Sequence, residues 1–348
     1  MQQIVLAARP IGEPKLSDFR FETVSMPTPG PGQLLIRTVW LSLDPYMRGR
    51  MDEGKSYAAA VAIGMPMEGG GVGEVIASNN PLFAVGDFVE NRFGWRSHAL
   101  SDGTGVRKLD ADIAPLSTAI GVLGMPGFTA YIGLNLHGMP QKGETIVVGA
   151  ATGAVGSLVG QLAKIQGLRT VGVAGGKRKC DYAVEVLGFD ACIDHRSAAD
   201  AQALSSKISA ECPNGVDIYF ENTGGKTFDA VLPLINVHGR IPLCGMISLY
   251  NNGALRKEPA EALSNFPKVW RTLLVNRINV RGFIITDHYD QFPEFISNIT
   301  PLIQESEIIY KESITIGLEK APQAFIELLR GENFGKQLVS VSEDPTRY

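Results

Sequence analysis

Two short stretches carry residue types at the spacing that binds a phosphorylated ligand. In the first, Gly149, Gly153 and Gly156 bracket Ala151, Thr152, Ala154 and Val155, directly after the apolar, β-branched run Thr145–Gly149. Beyond them Leu158, Val159, Leu162 and Ala163 recur at helical spacing up to Gly167, where a helix stop is expected. A turn of small residues between strand and helix admits a pyrophosphate close to the backbone, and the helix start attracts its charge. The spelling departs from G-x-G-x-x-G, because Ala151 stands where the second glycine usually falls. A tight turn with no ligand is the alternative reading.

The second stretch, Gly175-Gly-Lys177-Arg178-Lys179, follows the next strand-like run, Arg169–Ala174. A carboxylate in this place would hold the ribose 2′-hydroxyl of NAD; here every charge is positive, which suits the 2′-phosphate of NADP(H). Three cations at a helix start oppose the helix dipole, a misfit that an anion relieves, although such a run is also what a solvated helix start looks like. His195 and Arg196, after the run Ala191–Asp194, are placed to close the same pocket.

These residues need a scaffold, and from Gly127 onward the chain supplies one. Strand-like runs at 145–150, 169–175, 191–194, 216–221, 239–244 and 278–285 alternate with helical patterns, as a doubly wound parallel sheet of the Rossmann kind requires. Asn222 and the Cys244-Gly245 pair then fall at C-terminal strand ends, where ligands of such sheets gather. Cys244 itself reads as a small buried residue, not a nucleophile. Before residue 125 the pattern differs: Gln2–Ala8, Leu34–Leu41, Gly71–Ala77 and Asp87–Arg92 are short strand-like pieces among Gly and Pro, suggesting a partly closed β structure. Near the C-terminus, 320–329 reads as a helix and 336–341 as a strand, both able to return to the first domain. The expected domains are 1–126 with 301–348, and 127–300.

Composition narrows the function classes. The 348 residues are 45% hydrophobic and 20% charged, with a formal net charge of −4, which argues for a globular enzyme and against general nucleic-acid affinity. No apolar run is long enough to cross a bilayer, and the N-terminus lacks a basic leader, so a cytoplasmic location is the default expectation. The four cysteines and five histidines are dispersed, without C-x-x-C or H-E-x-x-H, and no metal site is expected.

The chain resembles the zinc-independent medium-chain dehydrogenase/reductases, in the branch of the prostaglandin, 2-alkenal and curcumin-type reductases. The resemblance covers nearly the whole sequence. It rests on Leu43-Asp-Pro-Tyr46-Met-Arg48-Gly-Arg50-Met51, on Gly124–Tyr131 with Thr129, on Phe220-Glu-Asn222-Thr-Gly-Gly225, on Gly282-Phe283-Ile-Ile285, and on Gly331-Glu-Asn333-Phe-Gly-Lys336. Where zinc-dependent relatives carry G-H-E, this chain has Gly64-Met-Pro-Met67-Glu68.

The resemblance implies a GroES-like β-barrel catalytic domain completed by the C-terminal tail, an inserted cofactor domain, an active site in the cleft between them, and a homodimer. It implies reduction of the carbon–carbon double bond of an α,β-unsaturated ketone or aldehyde, with hydride delivered to the β-carbon and a proton to the α-carbon. That chemistry needs a hydrogen-bond donor for the enolate oxygen and a proton source. Tyr250 is the carried-over tyrosine and Tyr46 the second choice, each with packing or cofactor bonding as its plainer role. Thr129, Phe283 and Asn333 are carried over as cofactor contacts, Asn333 with an ordinary turn role as the alternative.

The segment 249–277 is long for a strand connection. Asn251-Asn-Gly253 and Pro259 mark a loop, and Phe266, Val269, Trp270 and Leu273 an amphipathic helix that is a lid, dimer surface or core. Quinone reduction, allylic-alcohol oxidation and non-catalytic NADPH binding remain as alternatives on the same scaffold.

Overall fold

The computed structural model describes residues 1–54, 56–251 and 266–347. The chain divides into two units, Met1–Gly124 with Glu312–Tyr348, and Met125–Lys311. The second unit thus keeps residues 301–311, which the sequence pattern assigns to the tail. Gln161 explains this: its side chain donates to the Ile309 carbonyl at 2.9 Å and accepts from the Ile309 N–H at 2.8 Å.

In the first unit β1 (Gln2–Leu6) and β2 (Phe19–Thr23) form an antiparallel ribbon. The nine-residue β3 (Leu34–Ser42) leads to a single helical turn, α1 (Met47–Arg50), then β4 (Gly71–Ser78), β5 (Phe88–Asn91), β6 (His98–Ser101) and β7 (Arg107–Leu109). β3 is buried along most of its length and pairs antiparallel with both β4 and β6, which curls the sheet. Leu34, Ile36, Val75, Phe83, Val89, Phe93 and Ala99 fill one core cluster.

The second unit opens with α2 (Met125–Ile132), which runs into a π-helical turn at Gly133–Gly138. There follow β8 (Thr145–Gly149), α3 (Gly156–Ile165), β9 (Arg169–Ala174), α4 (Lys177–Glu185), β10 (Ala191–Asp194), α5 (Ala201–Glu211), β11 (Val216–Phe220), α6 (Gly225–Val231), β12 (Ile235–Leu243), α7 (Phe266–Asn276), β13 (Asn279–Gly282) and α8 (Phe292–Gln304). The six strands pair in parallel in the order β10-β9-β8-β11-β12-β13, the order of a dinucleotide-binding sheet. β8 is buried at every position, as a central parallel strand covered on both faces should be. The core gathers Val147, Val171, Val173, Leu204, Ile208, Val216 and Ile241.

The tail returns as β14 (Glu312–Ile316), α9 (Ala321–Leu329) and β15 (Lys336–Ser340), with β14 parallel to β15 and β15 antiparallel to β3. The Trp40 indole donates to Asp344 at 2.7 Å, fastening the last residues to β3. Among the described residues no helix is long and apolar enough to cross a membrane.

Candidate functional site

The turn between β8 and α3 holds the small residues in two shells. Ala151 and Thr152 are buried, whereas Gly153, Ala154 and Val155 form a part-exposed rim. No side chain caps the start of α3, where the N–H groups of Ser157 and Leu158 donate to the Gly153 and Val155 carbonyls at 3.0 and 3.1 Å. The alanine at 151 is accommodated from below. Its methyl points at Gly172 of β9, where a Cβ would come within 2.8 Å of it. The departure from the glycine pattern is therefore absorbed on the sheet side, and the face toward a ligand stays clear.

The basic corner forms at the C-terminal ends of β9 and β10. A Cβ on Gly175 would lie 3.0 Å from Arg196 Nε and 3.1 Å from His195 Nε2, so both side chains lean over the Gly175 backbone. Burial, then the charge of Arg196, holds the Lys179 ammonium below its ordinary pKa. His195 is held down by burial, then by Lys226 and Arg196. Burial is the larger cause for both groups, and the neighbouring positive charges add to it. The nearby acid, Asp194, is consumed locally. Burial alone would raise its pKa, but backbone N–H groups of Gly176 and Arg196, each at 2.8 Å, hold it low.

Not every cation of the run joins this corner. Lys177 is exposed and pairs with Asp181 one helical turn on, at 2.7 Å. Lys226, at the start of α6, was absent from the sequence reading; its ammonium donates to the carbonyls of His195 at 2.8 Å and Ala198 at 3.0 Å. Nothing in its local sequence marks it, since only the fold brings α6 beneath the turn after β10.

At the end of β11 the buried Glu221 organises the turn that follows. Its Oε1 accepts from the N–H groups of Thr223 at 2.5 Å and Gly224 at 2.8 Å. Asn222 donates its side-chain amide to the Gly149 carbonyl at 2.8 Å, tying the ends of β11 and β8. The Asn222 and Thr223 carbonyls accept from Ile247 and Ser248, so the loop after β12 is sewn to this turn. That loop carries Tyr250, whose hydroxyl oxygen accepts from the Met246 N–H at 3.3 Å and lies beside Gly245. Cys244 has its thiol pushed up to about 12 by burial and the Glu221 charge, so it is no nucleophile. The lid candidates Asn252, Gly253 and Pro259 lie outside the described residues. α7 divides the roles left open for its stripe: Val269 and Leu273 pack on the core, while Trp270, Leu274 and Val275 face outward.

Thr129, in α2, donates to the Met125 carbonyl at 2.8 Å. The Phe283 ring packs against His137 with centroids 4.7 Å apart. Neither nitrogen of this buried histidine has a partner among the described residues, and burial followed by the Arg281 charge lowers its pKa to about 4.

In the other unit, the Leu43–Met51 segment is held by buried charge. Lys336 donates to the Leu43 carbonyl and to Asp44 Oδ1, both at 2.7 Å, joining two of the stretches that carry the family resemblance. Arg48 is spent on the Gly12 carbonyl at 2.9 Å and on Asp52 at 2.9 Å, a structural role. Arg50 lies 4.4 Å from the Tyr57 ring centroid and 5.7 Å from that of Tyr46. Burial and the Asp44 charge push the Tyr46 phenol well above the ordinary tyrosine range. Asn333 donates to the Gly335 carbonyl at 2.8 Å, within the turn before β15.

Comparison with known proteins places this geometry. Residues 2–109 match the family model described as the N-terminal domain of oxidoreductase, and 154–300 match that described as zinc-binding dehydrogenase. The residues do not fit the zinc of that description: Met67 is buried at the point of the expected ligand, and among the described residues no three His, Cys, Asp or Glu side chains gather. The NADPH-dependent curcumin reductase of Escherichia coli (strain K12) is 49% identical across 98% of this chain and 96% of its own length. The NADP(+)-dependent 2-alkenal reductase of Nicotiana tabacum is 40% identical, covering 99% and 98%. The crystal structure of CurA from Vibrio vulnificus in complex with NADPH superposes with a TM-score of 0.92 at 48% identity, covering 99% and 100%. The chain belongs to the zinc-independent medium-chain dehydrogenase/reductases, in the branch that contains the curcumin and 2-alkenal reductases.

Proposed function

We propose that this chain is an NADPH-dependent reductase of the carbon–carbon double bond in α,β-unsaturated ketones and aldehydes. The cofactor choice is carried by one observation: His195 and Arg196 lean over Gly175 with Lys179 in reach of their charges, while the neighbouring Asp194 carboxylate is engaged by backbone N–H groups. The substrate class is supported by the named activities of relatives aligned over nearly the whole chain.

Bound NADPH supplies the hydride. The turn at Ala151–Val155 and the start of α3 receive the pyrophosphate, and Lys179, His195 and Arg196, with Arg178 beside them, hold the 2′-phosphate. Thr129, Asn222, Cys244, Gly245 and Phe283 line the path toward the nicotinamide, the last three through their backbones. Tyr250 donates a hydrogen bond to the enolate oxygen as charge develops there. Tyr46, whose phenol is held above its ordinary pKa, stays protonated at neutral pH and acts as a donor that orients substrate.

We further infer a homodimer through the exposed edge of β13 and the outer face of α7, where Trp270, Leu274, Val275 and Val280 present apolar surface. Light scattering should then report twice the chain mass of 37.4 kDa. Four free thiols suit the reducing cytoplasm, where we place the enzyme.

A panel of enones, enals and quinones tests the activity, with NADPH consumption followed and products identified. Saturated ketones or aldehydes from the enones and enals are expected. Quinone turnover alone, or allylic alcohols as products, would overturn the reading.

A further inference from the structure

We propose that Lys226 is a positioning residue of the 2′-phosphate corner: it fixes the turn that presents His195 and Arg196, and so helps to set the preference for NADPH over NADH. The proposal rests on the reading of Lys179, His195 and Arg196 as the phosphate ligands.

The turn after β10 is held by its carbonyl oxygens. Residues His195–Ser197 make one tight turn, and Asp200 caps α5 just beyond it by accepting from the Ala203 N–H at 2.8 Å. Lys226, in the first turn of α6, donates to the carbonyls of His195 at 2.8 Å and Ala198 at 3.0 Å. Lys207, from α5, donates to the Ser197 carbonyl at 3.1 Å and to its hydroxyl at 2.8 Å. That hydroxyl donates in turn to the Asp194 carbonyl at 2.7 Å. The carbonyls of residues 194, 195, 197 and 198 are thus all engaged by side chains, while the side chains of His195 and Arg196 lie over Gly175.

The two lysines are not equal. Lys207 is exposed and grips the exposed Ser197, whereas Lys226 is half-buried and reaches the carbonyl of the buried Ala198. A charge-assisted bond to a buried carbonyl is the costlier one to lose. Lys226 is itself anchored. Gly224 and Gly225, with φ of 70° and 55°, lead the chain into α6, and the Gly224 N–H donates to the buried Glu221 at 2.8 Å.

The charge of Lys226 also acts on His195. Burial holds the His195 ring below its ordinary pKa, followed by Lys226, Arg196 and Lys179, with Asp194 acting in the opposite sense. A phosphate favours the protonated ring, so NADPH binding weakens as pH rises through the His195 titration. Without the Lys226 charge that titration moves up, toward the ordinary histidine value.

The test is kinetic. Lys226→Met should raise the KM for NADPH about tenfold, the scale of coupling between contacting groups, and the loss should fall neither on kcat nor on the KM for NADH. In a pH series the inflection of the NADPH KM should move to higher pH in Lys226→Met and lose its histidine component in His195→Ala. The titration of the phosphate itself, at about pH 6, is common to every variant. Lys226→Arg, which keeps both donor and charge, should return the KM to within about threefold of the parent enzyme. Lys226→Met combined with His195→Ala should cost less than the product of the two single effects. Should Lys226→Met not fold, Lys226→Gln is read by the same cycle and pH series. An unchanged NADPH KM, a loss shared equally by NADH, or an unmoved inflection would each overturn the proposal. So would costs that multiply, which would make Lys226 an independent ligand. His195→Ala separates the two failures. If it leaves the preference for NADPH over NADH untouched, the phosphate-pocket reading falls and the role of Lys226 falls with it. If it shifts that preference and Lys226→Met does not, only the role of Lys226 falls.

Discussion

The corner proposed for the 2′-phosphate and the loop that carries Tyr250 stand at C-terminal ends of the same parallel sheet, yet they are built differently. The corner is made where regular elements end: β9 stops at Ala174, β10 stops at Asp194, and side chains from the next few residues fold inward. The Tyr250 loop is irregular, held through the Asn222 and Thr223 carbonyls, and it leads out of the described residues after Asn251. On the proposed assignments, recognition of the cofactor is fixed by the sheet itself, whereas the chemistry hangs on a segment that the sheet only anchors.

The contrast is open to direct attack, beginning where the effect should be largest. Tyr250→Phe should lower kcat by about 100-fold or more, the usual range for a lost general acid or enolate donor, with NADPH affinity unchanged. An unchanged kcat in steady-state assays would strip the loop of its chemical role. Lys179→Glu should act in the opposite sense, lowering kcat/KM for NADPH relative to NADH by about 30- to 100-fold, because a charge-assisted bond is replaced by repulsion. Lys177→Glu is the control, since Lys177 is engaged with Asp181; its effect on that ratio should stay within about twofold.

A smaller effect comes from Gly175→Ala. The new methyl meets the tips of Arg196 and His195, which can swing aside, so the NADPH KM should rise only about fivefold. Acid should touch neither region first. His137 is held neutral in the fold, with its pKa lowered from 6.5 to about 4. Its contribution to stability is whole above pH 6.5 and is lost as pH falls through about 4. The loss approaches about 3 kcal/mol at most. His137→Phe should flatten the fall in Tm between pH 6.5 and 4, read by calorimetry, without altering kcat or cofactor preference at pH 7.

β8, β9 and β11 were legible because each is largely a β-branched or apolar run, and the basic corner followed from counting residues past β9 and β10. β6 and β7, of four and three residues, are too short to show alternation, and β7 reads Arg-Lys-Leu. The π-helical turn at Gly133–Gly138 has no periodic signal distinct from the helix before it. Lys226 escaped notice because its role depends on where α6 begins relative to β10, a relation no local window contains. Asn222 was expected at a strand end and lies there, but its bond to the Gly149 carbonyl is a cross-strand contact that needs the β8–β11 pairing.

The methyl of Ala151, turned toward Gly172, has a consequence for how this turn can vary among related chains. The two positions share one small volume and behave as a single unit of sequence change. Alanine at 172 would meet Ala151 at 2.8 Å and also Cys192 and Phe189 at 3.1 and 3.3 Å, so it asks for glycine at 151 and for room at those two neighbours. Position 172, buried in a strand and remote from any ligand, is therefore where the spelling of the phosphate turn is decided.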